Sequence, residues 1–136
     1  MSGRRMLLSC PDPSPKEPAL IRTKSAFDPK RADDGYRILI EPEWPLGLPK
    51  GKKAGVDWMK GLYPSGSLRQ WMRHNPRKAN TFRERYLREL AHNEAAVEKV
   101  CRAYRERGDV TILTVPAEGP WDIHETLVAY LRVTCE

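Results

Sequence analysis

The chain has 136 residues, 40% hydrophobic and 31% charged, with a net charge of +6. Chains of this length form one domain and bury about two thirds of their unfolded surface, so neither metal nor disulfide staples are required. The composition argues against global disorder, and no stretch approaches the ~20 consecutive apolar residues that would span a bilayer.

Residues 1–18 read as a disordered, proline-rich tail, because Pro11-Asp12-Pro13-Ser14-Pro15 has nothing periodic to bury and cannot form helix. Arg4-Arg5-Met6-Leu7-Leu8-Ser9-Cys10 imitates an export signal, but its apolar stretch is shorter than the ~7–15 residues of such a signal. A cytoplasmic protein with no membrane attachment is therefore expected, with a single domain over 19–136.

Within that domain, Leu20-Ile21-Arg22-Thr23 reads as a short strand and Tyr36-Arg37-Ile38-Leu39-Ile40 as a stronger one, with turn chemistry at Asp33-Asp34-Gly35 between them. Glu41-Pro42-Glu43-Trp44-Pro45-Leu46-Gly47-Leu48-Pro49 holds too much proline for a regular element and predicts an ordered loop. After the flexible, basic Lys50-Gly51-Lys52-Lys53, residues 56–62 suggest a short helical or irregular turn. Ser65 and Ser67 are N-cap candidates for a helix carrying Leu68, Trp71 and Met72. Asn75-Pro76 looks like the start of the next helix, in which Phe82, Tyr86 and Leu90 share one face. His92-Asn93 breaks that helix. Another follows from about Glu94, burying Val97, Val100, Cys101 and Tyr104 and stopping at Gly108. Val110–Val115 is the clearest strand, and from about Trp121 a last helix carries Ile123, Leu127, Tyr130 and Leu131. Helices between strands imply a crossover. The fold class is α/β, a two-layer or three-layer sandwich with a short, mostly parallel sheet flanked by helices.

Charge is unevenly spread: +1 over residues 1–49, +8 over 50–109 and −3 over 110–136. The three cysteines are odd in number, widely spaced and without a histidine at metal-ligand spacing, so reduced thiols are expected and no metal site or cofactor is assigned. Cys101 and Arg107 have the bare spacing of a cysteine-phosphatase signature, but they lie inside a predicted helix with no glycine between them. That chemistry needs a loop of backbone N–H groups around the thiolate, so Cys101 reads as a core residue.

Asp34-Gly35-Tyr36-Arg37-Ile38-Leu39-Ile40, Trp44-Pro45-x-Gly47, Pro64-Ser65-x-x-Leu68-Arg69-x-Trp71, His74-x-Pro76, Phe82-Arg83-x-Arg85-Tyr86-x-x-Glu89-Leu90 and Val110-Thr111-Ile112-Leu113 together resemble the YeaO-like proteins, a bacterial family. The likeness runs from about Ile21 to Leu131. It implies a small Rossmann-like α/β fold and no established activity. Two departures stand out. Where the family usually has Asp-Arg-Leu-Trp-Pro-Arg-Gly, this chain has Glu41-Pro42-Glu43-Trp44-Pro45-Leu46-Gly47, without the two arginines. Its usual Ala-Ala-Lys-Asp after the last strand survives here only in part, as Pro116-Ala117-Glu118.

In open α/β sheets ligands favour the carboxyl ends of the strands, which makes Glu41–Gly47 and Pro116–Gly119 the candidate site. Ligand-binding candidates are Trp44 as a wall, with Arg37, Arg69 and Glu118. Candidate acid–base groups are His74, Glu41 and Glu43. Solvated loop carboxylates are the favoured account of Glu41, Glu43 and Glu118, and a corner hydrogen bond that of His74. Trp71, His74, Arg83 and Tyr86 could also converge around one turn, although Trp71 and Tyr86 fit the core. Two functional readings follow. One is a small, anionic ligand at the strand edge with no reaction assignable. The other is a non-enzymatic interaction module, with nucleic acid or protein as partner, using the basic face of Arg69, Arg73, Arg77, Lys78, Arg83, Arg85 and Arg88. The oligomeric state is not encoded in any motif here.

Overall fold

The computed structural model describes residues 19–49, 55–115 and 121–135. The tail at 1–18, the basic stretch at 50–53 and the loop at 116–119, Glu118 included, lie outside the described residues. Four strands, β1 (Ile21–Ser25), β2 (Tyr36–Leu39), β3 (Asp57–Trp58) and β4 (Val110–Thr114), pair in the order β1-β4-β2-β3. Every pairing is parallel, with Ile21 beside Val110, Ile38 beside Ile112 and Ile38 beside Asp57. The helices are α1 (Gly66–His74), α2 (Ala79–His92), α3 (Glu94–Arg107) and α4 (Ile123–Cys135). The architecture is α/β, as the segment order requires.

The alternation of β2 and β4 divides the interior. Ile38, Val110 and Ile112 face the larger core, where they meet Phe82, Tyr86 and Leu90 from α2, Val97, Val100 and Cys101 from α3, and Leu127 and Leu131 from α4. Leu39 and Leu113 point the other way, into a smaller cluster with Ala26 that is covered by Trp44, Leu48, Val56 and Val115. Helices thus cover one face and loop residues the other, giving the two-layer arrangement. The Glu41–Pro49 segment works as a lid on the second layer: Trp44 stands edge-on to Trp58 with centroids 5.2 Å apart and donates its indole N–H to the Leu48 carbonyl.

Local chemistry sets the element ends. Ser65 caps α1 by accepting the Leu68 N–H, and Gly108, at φ +94°, closes α3 where a side chain would be strained. Gly35 has a stricter reason, since a Cβ there would lie 2.2 Å from the Asp109 carbonyl oxygen, which accepts the Tyr36 N–H. Two expectations are corrected. The Asn75-Pro76 helix start belongs to a turn, because Asn75 closes α1 by bonding to the Trp71 and Met72 carbonyls, and α2 begins only at Ala79. The reduced-thiol expectation fails for two of the cysteines: Cys101 and Cys135 form a disulfide, with Cα atoms 4.8 Å apart. The last turn of α4 packs against the middle of α3, and that tertiary contact brings together thiols 34 residues apart. Cys101 is buried in the core, as expected.

Candidate functional site

A concavity of about 1060 Å³ opens beyond the carboxyl end of β2, between the 3-10 turn Lys60–Leu62, α1 and α2. Pro42 brings the end of the β2 strand to its rim. From α2 come Arg85, Arg88, Glu89 and His92, an i, i+3, i+4, i+7 stripe lying beside the buried stripe of Phe82, Tyr86 and Leu90. Helix α1 contributes Ser67, Leu68, Arg69 and Trp71, while the turn contributes Lys60 and Gly61.

Aromatic rings hold three of the cations. The Arg85 guanidinium lies 4.5 Å from the Trp71 ring centroid, Arg69 lies 5.7 Å from that of Tyr63, and the Lys60 ammonium lies 4.2 Å from that of Trp58. Arg69 also donates from Nε to the Pro64 carbonyl. Burial raises the Tyr63 hydroxyl above the usual phenol range; nearby Glu41 adds to this and Arg69 opposes it.

Among the described residues, the cleft has one carboxylate, Glu89, and it is already engaged. Glu89 accepts the Ser65 N–H at 2.9 Å on one oxygen and the Ser65 hydroxyl on the other. Ser65 is therefore fixed from two sides, by Glu89 and by its capping bond to Leu68. Among the described residues, no ion pair involves Lys60, Arg69, Arg85 or Arg88. Elsewhere Arg22, Lys24, Arg37, Arg83, Lys99 and Arg105 pair with Asp109, Asp34, Asp122, Asp57 and Glu98, whereas the exposed Arg73, Arg77 and Lys78 form no ion pair among the described residues.

The residues singled out in the sequence are dispersed. Arg69 lines the cleft. Arg37 is buried on the opposite side of the sheet, its Nε 3.3 Å from the Asp34 carboxylate. Trp44 packs over the second layer and does not reach the cleft. Glu43 is exposed, and so is His74 at the end of α1, away from the cleft lining. Trp71, His74, Arg83 and Tyr86 do not form one cluster: Tyr86 is buried and bonds to the Leu62 carbonyl, while Arg83 reaches Asp122. Glu41 is buried and its carboxylate meets the His124 Nε2 at 2.8 Å. Its backbone carbonyl accepts the Trp58 indole N–H.

His124 was not among the sequence candidates, because nothing local marks a residue whose partner lies 83 positions away. Arg85, Arg88 and Glu89 were legible in principle, as a polar stripe flanking an apolar one on the same helix. Among the described residues, no three His, Cys, Asp or Glu side chains gather closely enough to hold a metal ion, and no helix is long and apolar enough to cross a membrane.

Comparison with known proteins places this geometry in a family. The chain is similar to the uncharacterized protein YeaO of Escherichia coli (strain K12), 42% identical over 74 residues, which cover 54% of this chain and 64% of that one. It is also similar to the uncharacterized protein Rv3073c of Mycobacterium tuberculosis (strain ATCC 25618 / H37Rv), 34% identical over 94 residues, 69% of this chain and 78% of that one. No solved structure matches. A family model described as the inactive DUF488-N3 subclade matches residues 20–132, nearly the whole described chain, and the protein belongs to that family.

Proposed function

We propose that the cleft between the 3-10 turn, α1 and α2 binds a small, multiply charged anion, and that the chain is a binding protein with no chemistry of its own at this site. One observation carries the reading: four cations flank a single cavity whose only carboxylate among the described residues is committed to Ser65. Like charges around one low-dielectric wall repel, and an anion relieves that repulsion. Stacking on an aromatic ring restrains a guanidinium in advance, so less freedom is lost when an oxyanion accepts its paired N–H groups. The word "inactive" in the family's description supports binding over catalysis. So does the double fixation of Ser65, whose hydroxyl proton is directed at Glu89 and not at the cavity.

Inorganic pyrophosphate is the probe that tests this. It should raise the melting temperature of the chain, and Arg88→Gln should remove most of that rise. Unaltered melting at millimolar pyrophosphate would end the reading. A second reading rests on Arg73, Arg77 and Lys78, which are exposed around the α1–α2 corner, as a basic surface for nucleic acid. Duplex affinity that falls steeply with salt and survives Arg88→Gln, but not Arg77→Gln, would favour it.

A further inference from the structure

We infer that the anion bound in the cleft is a nucleoside phosphate, whose base stacks on the Arg85 guanidinium and whose phosphates lie among Arg69, Arg88 and Lys60. This rests on the anion reading above and goes beyond it by naming the other half of the ligand.

A bare oxyanion does not account for the site. At about 1060 Å³ the cleft is slightly larger than the ~300–1,000 Å³ typical of pockets for whole organic ligands. Its walls are not uniformly cationic. Trp71 is half-buried and packed against the core, and the Arg85 guanidinium carbon lies 4.5 Å from its ring centroid. A guanidinium set over a half-buried indole offers a ligand a delocalised, planar group with an aromatic backing. Bases stack on such guanidinium planes as they do on aromatic rings. A sugar phosphate or a dicarboxylate has no flat ring to place there.

The remaining cations are arranged for phosphate. Arg88 follows Arg85 by three residues and so stands one turn along the same face of α2, whereas Arg69 projects from α1 and Lys60 from the turn. The two halves of the ligand would therefore meet different parts of one wall. Nothing in the sequence separates Arg85 from its basic neighbours; only its place over Trp71 does.

Calorimetric titration of the full chain with ADP and with pyrophosphate, at fixed salt, tests the assignment. ADP should bind at least tenfold tighter than pyrophosphate. Arg85→Lys, which keeps the charge and loses the plane, should bring the two within about threefold of each other while pyrophosphate binding changes little. Trp71→Leu should act in the same direction, and Arg85→Lys guards against loss of folding in that partly buried variant. Equal affinities in the unaltered chain would overturn the nucleoside assignment and leave the anion reading standing. Binding of neither ligand would overturn both. An ADP preference that survives Arg85→Lys and Trp71→Leu would place the base elsewhere and overturn the platform.

Discussion

Two groups of cations in this molecule are treated in opposite ways. On the loop-covered face of the sheet, Lys24 and Arg37 converge on Asp34, at 2.8 and 3.3 Å, and Asp34 is buried. On the helix side, Lys60, Arg69, Arg85 and Arg88 gather around a cavity, the first three over aromatic rings, with no ion pair among the described residues. The first group is built around a buried carboxylate. It also receives the Arg31 N–H on Asp34, while the Asp34 carbonyl accepts the buried Thr111 hydroxyl. The second is satisfied only in part. Pairing, more than positive charge, separates a structural cation from one available to a ligand. A count of +8 over residues 50–109 conceals that distinction.

Removing Asp34 should break the comparison most severely. Asp34→Ala would leave Lys24 and Arg37 around an empty carboxylate position, and stranding a buried charge costs about 3–5 kcal/mol. Urea unfolding should show that loss. A change below about 1 kcal/mol would mean that Lys24 reaches water and that the cluster is not a buried network.

The next largest effect lies at the disulfide, behind the helix layer. Breaking it by Cys135→Ala should lower stability by about 2–4 kcal/mol, and a dithiol reductant should lower that of the unaltered chain by a similar amount. Pyrophosphate binding should survive both treatments, because neither cysteine lines the cleft. If oxidised and reduced chains melt together, the link does not restrain the native packing of α3 and α4.

Acid should separate the two groups further. Burial pushes the Asp34 carboxyl upward, but the Lys24 and Arg31 hydrogen bonds and the charges of Lys24 and Arg37 outweigh it, leaving the group below its ordinary 3.8. Asp57 is likewise lowered: burial is outweighed by its hydrogen bonds from Tyr36 and Lys99 and by the charges of Lys99 and Arg107. A carboxyl depressed in the folded state contributes stability above its unfolded pKa and loses it as pH falls through the folded value. Stability should therefore decline from about pH 5 downward, as the two carboxyls take up protons in the unfolded chain before they do so in the folded one. Asp34→Asn should flatten that decline, and an unchanged acid limb would remove Asp34 from it.

How much of this was legible depended on the distance between the groups involved. β4, the break between α2 and α3 at Asn93, and the end of α3 at Gly108 were readable because β-branched runs, helix periodicity and a glycine stop act locally. β3 was not. Its two residues, Asp57 and Trp58, form a strand only because Ile38 and Leu39 stand beside them, and the segment itself reads as a turn. The same holds for Glu41 with His124 and for Cys101 with Cys135, where chemistry is created by packing of remote segments. In the cleft, Arg69 was identifiable from its neighbourhood. Arg85 and Arg88 looked like part of a solvated face until α1 and the 3-10 turn closed a cavity over them. Trp44 failed in the opposite sense: it is an aromatic residue in a strand-end loop, but its indole finds the Leu48 carbonyl and the edge of Trp58, and so closes the second layer.

The smallest stability effect should accompany one of the largest binding effects. Arg88 is exposed and makes no ion pair among the described residues; its backbone carbonyl, which faces the His92 ring nitrogen at 2.8 Å, is unaffected by a side-chain change. Arg88→Gln should therefore shift unfolding by no more than about 0.5 kcal/mol. Loss of a charged contact to an oxyanion, worth about 1.5–3 kcal/mol, should weaken pyrophosphate binding roughly tenfold or more, since 1.4 kcal/mol is a factor of ten. Mutual repulsion sharpens the expectation, because removing one of four like charges relieves the other three in the empty cleft. A slight rise in stability at low salt, paired with the loss in affinity, is the signature of a cation retained for a ligand. A fall in stability of several kcal/mol with affinity intact would instead place Arg88 in the same class as Lys24 and Arg37, and the contrast between the two groups would disappear.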